Sequence, residues 1–191
     1  MTDLADRRGI ETDYYEPAED SMLLADVVVA DVDASDLVLD VGTGSGYVGA
    51  RIRDEAGSRV VGSDLNPHAC RRAVAAGIEA VRADLVSPFA DGVFDVVTFN
   101  PPYLPADDDA ARDDWVEVAL TGGESGRAVI DPFLDAVGRV LAPDGRVYLL
   151  VSTLTGIEAV VKRAGQRGFS SVLLDETSFP FETLVVLKLV A

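Results

Sequence analysis

The chain has 191 residues, of which 48% are hydrophobic, a length and apolar content that exclude intrinsic disorder and suit one α/β domain with a sizeable core. A formal net charge of −17 argues against a nucleic-acid partner. No apolar run reaches the ~18 residues of a membrane span, and the start Met1-Thr2-Asp3-Leu4 does not read as a signal peptide. With Cys70 the single cysteine and His68 the single histidine, an internal disulfide, a Cys/His nucleophile pair and a metal-ligand spacing are all excluded.

In chain order, a helix is predicted near 19–30, a strand at 37–41 and a helix at 46–56. A strand at 59–63 then leads to a helix at 66–76, where Asn66-Pro67 marks the start and His68 reads as a surface residue. Strands follow at 79–82 and 94–99, and the acid-rich stretch 106–114 reads as the mobile loop. A helix near 126–141, a strand at 145–151, a helix at 155–165 and strands at 171–174 and 183–190 complete the chain. Strands that alternate with helices imply a mostly parallel sheet covered on both faces. The last two strands, joined by the short turn at 177–181, are expected to be antiparallel. The fold class is therefore α/β: one doubly wound, Rossmann-like domain over 1–191, with a seven-stranded sheet and residues 1–36 as an amino-terminal extension that contributes to a cofactor site.

The strand ends carry the chemistry, because open α/β sheets bind ligands outside the carboxyl ends of neighbouring strands. The run Leu37–Val41 leads into Gly42-Thr43-Gly44-Ser45-Gly46, and Gly44–Gly49 matches the weak pattern G-x-G-x-x-G. Asp40 lies inside that strand end, where a carboxylate meets a cationic amino-acid group better than a pyrophosphate. This favours S-adenosylmethionine over a nicotinamide dinucleotide. Asp64 ends the next apolar run and can accept both ribose hydroxyls, while Asp84 ends a third run and can hold an adenine amino group. Trp115, in Asp114-Trp115-Val116, reads as simple packing under the acidic loop.

Asn100-Pro101-Pro102-Tyr103 follows the strand 94–99. An amide or amino-aromatic nitrogen is a poor nucleophile, since its lone pair is delocalised into the neighbouring π system. A catalyst must accept its N–H bonds and aim the lone pair at the donor. The Asn100 side chain and the Pro101 carbonyl are such acceptors, and two prolines fix the backbone without adding competing N–H groups. Tyr103 offers a ring to stack on a flat substrate group. Beside a nucleotide-like cofactor, this clamp points to methyl transfer onto a planar nitrogen.

Tyr15-Glu16-Pro17-Ala18-Glu19-Asp20-Ser21, Leu39–Gly46 and Asn100–Tyr103 together resemble the HemK-type glutamine methyltransferases of class-1 translation release factors. Thr121–Arg127 and Glu182-Thr183-Leu184 fit the same family, so the resemblance covers nearly the whole chain, and the short amino-terminal part resembles the archaeal and eukaryotic branch. The resemblance implies a cytoplasmic enzyme acting on the glutamine of the Gly-Gly-Gln loop. It implies cofactor contacts at Glu19, Ser21, Asp40, Gly42, Gly44, Gly46, Asp64, Leu65, Asp84, Leu85 and Asn100, with no metal. It also implies a heterodimer with a small zinc-ribbon-like activator, expected to dock near Ile78–Arg82 on an open sheet edge and on apolar residues Ala69, Ala73, Val74 and Ala76. The run Asp107-Asp108-Asp109 varies in such families.

The charged residues are skewed, with 23 Asp against 10 Glu and 14 Arg against two lysines, Lys162 and Lys188. That skew resembles proteins of salt-loving archaea, in whose cytoplasm screening leaves a Debye length under ~3 Å. The acidity then reports habitat more than substrate. Rival readings are an adenine-specific nucleic-acid methyltransferase, which needs a base-flipping cleft, a protein lysine methyltransferase, and a non-catalytic cofactor-binding scaffold.

Overall fold

Apolar runs that are continuous rather than alternating become central strands, because helices cover both of their faces. The computed structural model describes residues 19–103, 122–123 and 125–191. Its strands are β1 (Leu37–Val41), β2 (Arg59–Asp64), β3 (Glu79–Arg82), β4 (Phe94–Phe99), β5 (Leu141–Ser152), β6 (Ser170–Ser178) and β7 (Thr183–Val190). They form one sheet in the order β3-β2-β1-β4-β5-β7-β6. The pairs from β3 to β5 are parallel, and β7 runs antiparallel to both β5 and β6. The expected doubly wound seven-stranded sheet is therefore found, with β7 as its reversed strand.

Among the described residues five helices cover the sheet: α1 (Glu19–Val29), α2 (Tyr47–Ala56), α3 (Pro67–Ala75), α4 (Ile130–Val140) and α5 (Ile157–Gln166). Side chains alternate along each strand, so Val38 and Val96 meet α1 and α2 on one face while Leu39 and Val97 meet α4 on the other. At the start of α3, Asn66 accepts from the His68 N–H at 2.8 Å and Pro67 takes the first helical position. At the far end of the sheet from the strand termini that matter below, Tyr148 donates to Asp31, and Arg146 reaches Asp36 at 2.8 Å, tying the α1–β1 connection to β5.

Three boundaries differ from expectation. Helix α4 begins at Ile130 rather than near 126, because Gly123 and Gly126 take φ of +70° and +69° ahead of it. Strand β5 starts at Leu141, with a bulge against β4 between Phe94 and Val96. Strand β6 extends to Ser178, its polar second half held by pairing with β7 despite full exposure. The readings made on Tyr15–Ala18, the 106–114 loop, Trp115, Thr121 and Glu124 fall outside the described residues.

Candidate active site

The direction of the crossovers reverses between β1 and β4, so these adjacent strands open a crevice at their carboxyl ends. Val41 stands opposite Phe99 in the register, which puts Gly42 beside Asn100. The approach is close: a Cβ at Gly42 would lie 3.2 Å from Phe99 Cε2 and 4.0 Å from the Asn100 carbonyl oxygen, at a φ of +60°. Glycine is what this turn requires. Gly46 is similarly constrained, since its Cβ would meet Ala73 Cα at 2.9 Å where α2 starts against α3. The glycine turn and the Asn100 motif thus form two walls of one crevice.

Asp40 is 3% exposed beneath the turn. Its Oδ2 accepts from Thr43 Oγ1 at 2.7 Å and its Oδ1 from Thr98 Oγ1 at 2.9 Å, and the Gly49 N–H also donates to it. Burial pushes this carboxyl up to about 6, the three hydrogen bonds oppose the rise, and the Asp64 carboxylate adds to it. An acid open to a ligand was expected; with these donors around it, the group acts mainly from inside the protein. Thr98, 58 residues along the chain, carries no motif of its own and was missed in the sequence.

Asp64 closes β2 and accepts from the N–H groups of Gly44 at 2.9 Å and Asn66 at 2.8 Å. Burial raises its carboxyl above the usual range, and the two N–H groups hold it down. Leu65 beside it is 47% exposed, with its carbonyl held by Arg82 Nε at 3.1 Å. Asp84 is exposed, and Leu85 takes a positive φ of +51° while its carbonyl accepts from Ser63 Oγ at 3.2 Å. The acids at 40, 64 and 84 do line successive strand ends.

On the other wall, Pro101 is buried and Asn100 and Pro102 are half-buried. Asn100 Nδ2 donates to Ser21 Oγ at 3.2 Å, which leaves its Oδ1 as the free acceptor end. Ser21, expected on the cofactor, therefore touches the acceptor clamp. Its neighbour Glu19 is exposed at the start of α1. Tyr103 differs from the expectation of a ring open for stacking: it is 4% exposed within the core under α1, its hydroxyl 3.4 Å from Asp20 Oδ2. Asp20, buried and accepting from the Ser21 N–H at 2.6 Å, was not singled out in the sequence. A second loop leans on this wall, since a Cβ at Gly126 would meet the Tyr103 carbonyl at 2.9 Å, and Arg127 donates to the Thr155 carbonyl. Ser152 at the end of β5 donates to Glu182 at 2.8 Å.

Strand β3 ends the sheet, as expected, with Val81 41% and Val74 57% exposed. Ala69, Ala73 and Ile78 are buried in the core, so the apolar surface at this edge is smaller than expected. Among the described residues no group of three His, Cys, Asp or Glu side chains gathers as metal ligands, and no helix is long and apolar enough to cross a membrane.

A family model described as a methyltransferase domain matches residues 38–123, from β1 through the Asn100 motif. A Methanocaldococcus jannaschii protein named as a protein N5-glutamine methyltransferase is 34% identical over 185 residues, covering 94% of this chain and 92% of that protein. Methyltransferase HEMK2 of Homo sapiens is 32% identical over 195 residues, covering 95% and 91%. A chain of the E. cuniculi Mtq2–Trm112 complex, described as responsible for methylation of the eRF1 translation termination factor, aligns at 34% identity with a TM-score of 0.79. That alignment covers 94% of this chain and 99% of the other.

Proposed function

Because the chain belongs to the protein N5-glutamine methyltransferase family, we propose that it methylates the glutamine side-chain amide in the Gly-Gly-Gln loop of a class-1 translation release factor. The observation that carries this reading is the opposition of Gly42 and Asn100 across paired β1 and β4. A backbone turn with no room for a side chain faces a hydrogen-bond acceptor held at fixed orientation. Two features support S-adenosylmethionine as the occupant of the crevice: the Gly42 cradle excludes a Cβ, and Asp64 and Asp40 bring carboxylates up to the glycine turn.

Bound there, S-adenosylmethionine supplies a methyl group made electrophilic by its sulfonium. Asp64 accepts the ribose hydroxyls on the lone pairs its two N–H donors leave. Leu65 gives an apolar surface to the adenine, and Asp84 with the Leu85 backbone meets the adenine edge. Gly42, Gly44 and Gly46 let the main chain close on the amino-acid end, with Asp40 as the charge behind the turn and Glu19 at the rim. Asn100 Oδ1 and the Pro101 carbonyl accept the two N–H bonds of the substrate amide, and Pro102 keeps those acceptors aimed. Held there, S-adenosylmethionine would supply its methyl carbon to the amide nitrogen aimed by Asn100 and Pro101, the carbon–sulfur bond breaking with its electron pair left on sulfur. The nitrogen becomes more positive as it attacks, so acceptors already in place stabilise the transition state more than the ground state. The methylated amide then sheds a proton to water, and alignment rather than a general base provides the acceleration.

The E. cuniculi relative works as a complex, and a small activator, zinc-ribbon-like in fold, is the partner proposed for this chain. It adds a strand along Glu79–Arg82, where β3 lacks the proline or lysine that blocks edge pairing, and covers Val81 and Val74. A cytoplasmic setting in a halophilic archaeon fits the Asp-rich, Lys-poor composition. Incubation of purified enzyme with release factor and cofactor tritiated at the methyl tests the function. Label should enter the intact release factor and not one whose Gly-Gly-Gln glutamine is replaced by alanine; equal labelling of both would overturn the assignment.

A further inference from the structure

Three donors converge on one buried carboxylate, and they come from three different elements. Thr43 Oγ1 belongs to the glycine turn, the Gly49 N–H to the first turns of α2, and Thr98 Oγ1 to β4, the strand that ends in Asn100. Thr98 is fully buried, and the carboxylate it serves is buried with it. A hydroxyl in a strand core has no packing advantage over the isosteric methyl of valine. It costs desolvation unless it finds a partner, so its presence at Thr98 is explained by the acid it bonds.

We propose that Thr98 is a positioning residue of the donor site: with Thr43 and Gly49 it keeps Asp40 a carboxylate beneath the glycine turn, where that charge favours a cationic ligand. The inference rests on the reading that the ligand is S-adenosylmethionine, which carries a sulfonium and an ammonium. A buried acid stays ionised only when hydrogen bonds and charges offset its lost hydration. Among the described residues the titratable group facing Asp40 is Asp64, from the end of β2, and its charge works against ionisation. β4 faces Asp40 with Thr98 and α2 with the Gly49 main chain, neither of which titrates. The balance therefore depends on the donors, and Thr98 supplies the bond to Oδ1 at 2.9 Å. Without it Asp40 takes up a proton near neutral pH, and the site loses its charge while keeping its shape.

The test is calorimetric titration of S-adenosylmethionine into the protein and its Thr98→Val and Thr98→Ser variants from pH 6.5 to 8.5 at constant salt. Comparing variant with wild type at each pH cancels the titration of the ligand's own ammonium. Thr98→Val should bind about 3-fold more weakly than wild type at pH 6.5, since losing a bond that shifts the equilibrium about 10-fold leaves an acid poised at about 6 with roughly a third as much carboxylate there. The deficit should vanish by pH 8.5, where both carboxyls are ionised, and Thr98→Ser should follow wild type throughout. Thr98→Val in an Asp40→Asn background should change nothing further. A deficit equal at every pH, or no deficit, overturns the proposal, because a purely structural lesion does not mend when a proton is removed. Should Thr98→Val fail to fold, the wild type decides: binding near pH 6 should release protons, seen across buffers of different ionisation heat, and Asp40→Asn should abolish that release. Release unchanged in Asp40→Asn would sink the proposal. Wild type that fails to bind S-adenosylmethionine at all would instead overturn the underlying functional reading.

Discussion

Asp40→Asn should make the protein more stable at neutral pH while weakening its function. The carboxyl is 3% exposed and is pushed from its ordinary 3.8 up to about 6, chiefly by burial. The folded-state value lies above the unfolded one, so the fold prefers the protonated acid. That preference is fully present below pH 3.8 and is lost as pH rises through about 6. Between those limits the wild type gives up about 3 kcal/mol at 1.36 kcal/mol per tenfold. An asparagine has no proton to lose and keeps this stability. Its oxygen can accept from the Gly49 N–H, and its amino group can donate to a threonine hydroxyl turned to accept. The paired measurement is thermal unfolding of wild type and Asp40→Asn at pH 4 and pH 7.5, at one ionic strength. In a chain of this length each kcal/mol moves the midpoint by roughly 2–4 °C. The variant's midpoint relative to wild type should therefore rise by about 6–12 °C between the two pH values. A difference that stays flat across that range would refute the argument, whatever its absolute size.

Asp64→Ala should weaken S-adenosylmethionine binding by about 10–100-fold in calorimetry, because it removes the ribose acceptor and the anchor of the Gly44 N–H; NAD should not bind either protein. Asn100→Ala should lower turnover by ~10²-fold with a much smaller change in cofactor affinity. Ser21→Ala should act in the same direction more weakly, since it frees the Asn100 amide to flip, and a raised cofactor Kd with unchanged kcat would return Ser21 to the donor side. Thermal midpoints should climb with potassium chloride into the molar range, as screening relieves a formal −17 charge; equal stability at low and high salt would contradict the halophile reading. Val81→Pro should abolish co-purification with the activator in size exclusion, and a complex that survives it would remove β3 as the docking edge.

What the sequence made legible was whatever is fixed locally or by burial. Strands 37–41, 79–82 and 94–99 appear where expected, because central or short strands are bounded by glycine, proline and acidic turns. The glycine turn and Asn100–Tyr103 could be paired at a distance because doubly wound sheets put their ligand crevice between such strand ends. The far half of β6 was not legible. Asp175, Glu176 and Thr177 are polar and exposed, and their strand conformation comes from pairing with β7 rather than from burial. The Asp40–Thr98 and Ser21–Asn100 bonds span 58 and 79 residues. No local pattern encodes them, since a threonine inside an apolar run reads as an ordinary strand residue until its neighbour across the sheet is known. Tyr103 misled for a related reason: its motif implied a substrate-facing ring, whereas α1 supplies a carboxylate and an apolar bed that draw it inward.

The central claim is that Gly42 and Asn100 bring a methyl donor and a glutamine amide together. Tandem mass spectrometry of release factor incubated with enzyme, activator and S-adenosylmethionine tests it most directly. The account predicts one added methyl on the side-chain nitrogen of the Gly-Gly-Gln glutamine, lost when the enzyme carries Asn100→Ala. A methyl found instead on a lysine, or a glutamine left unmodified by enzyme that binds the cofactor, would contradict it.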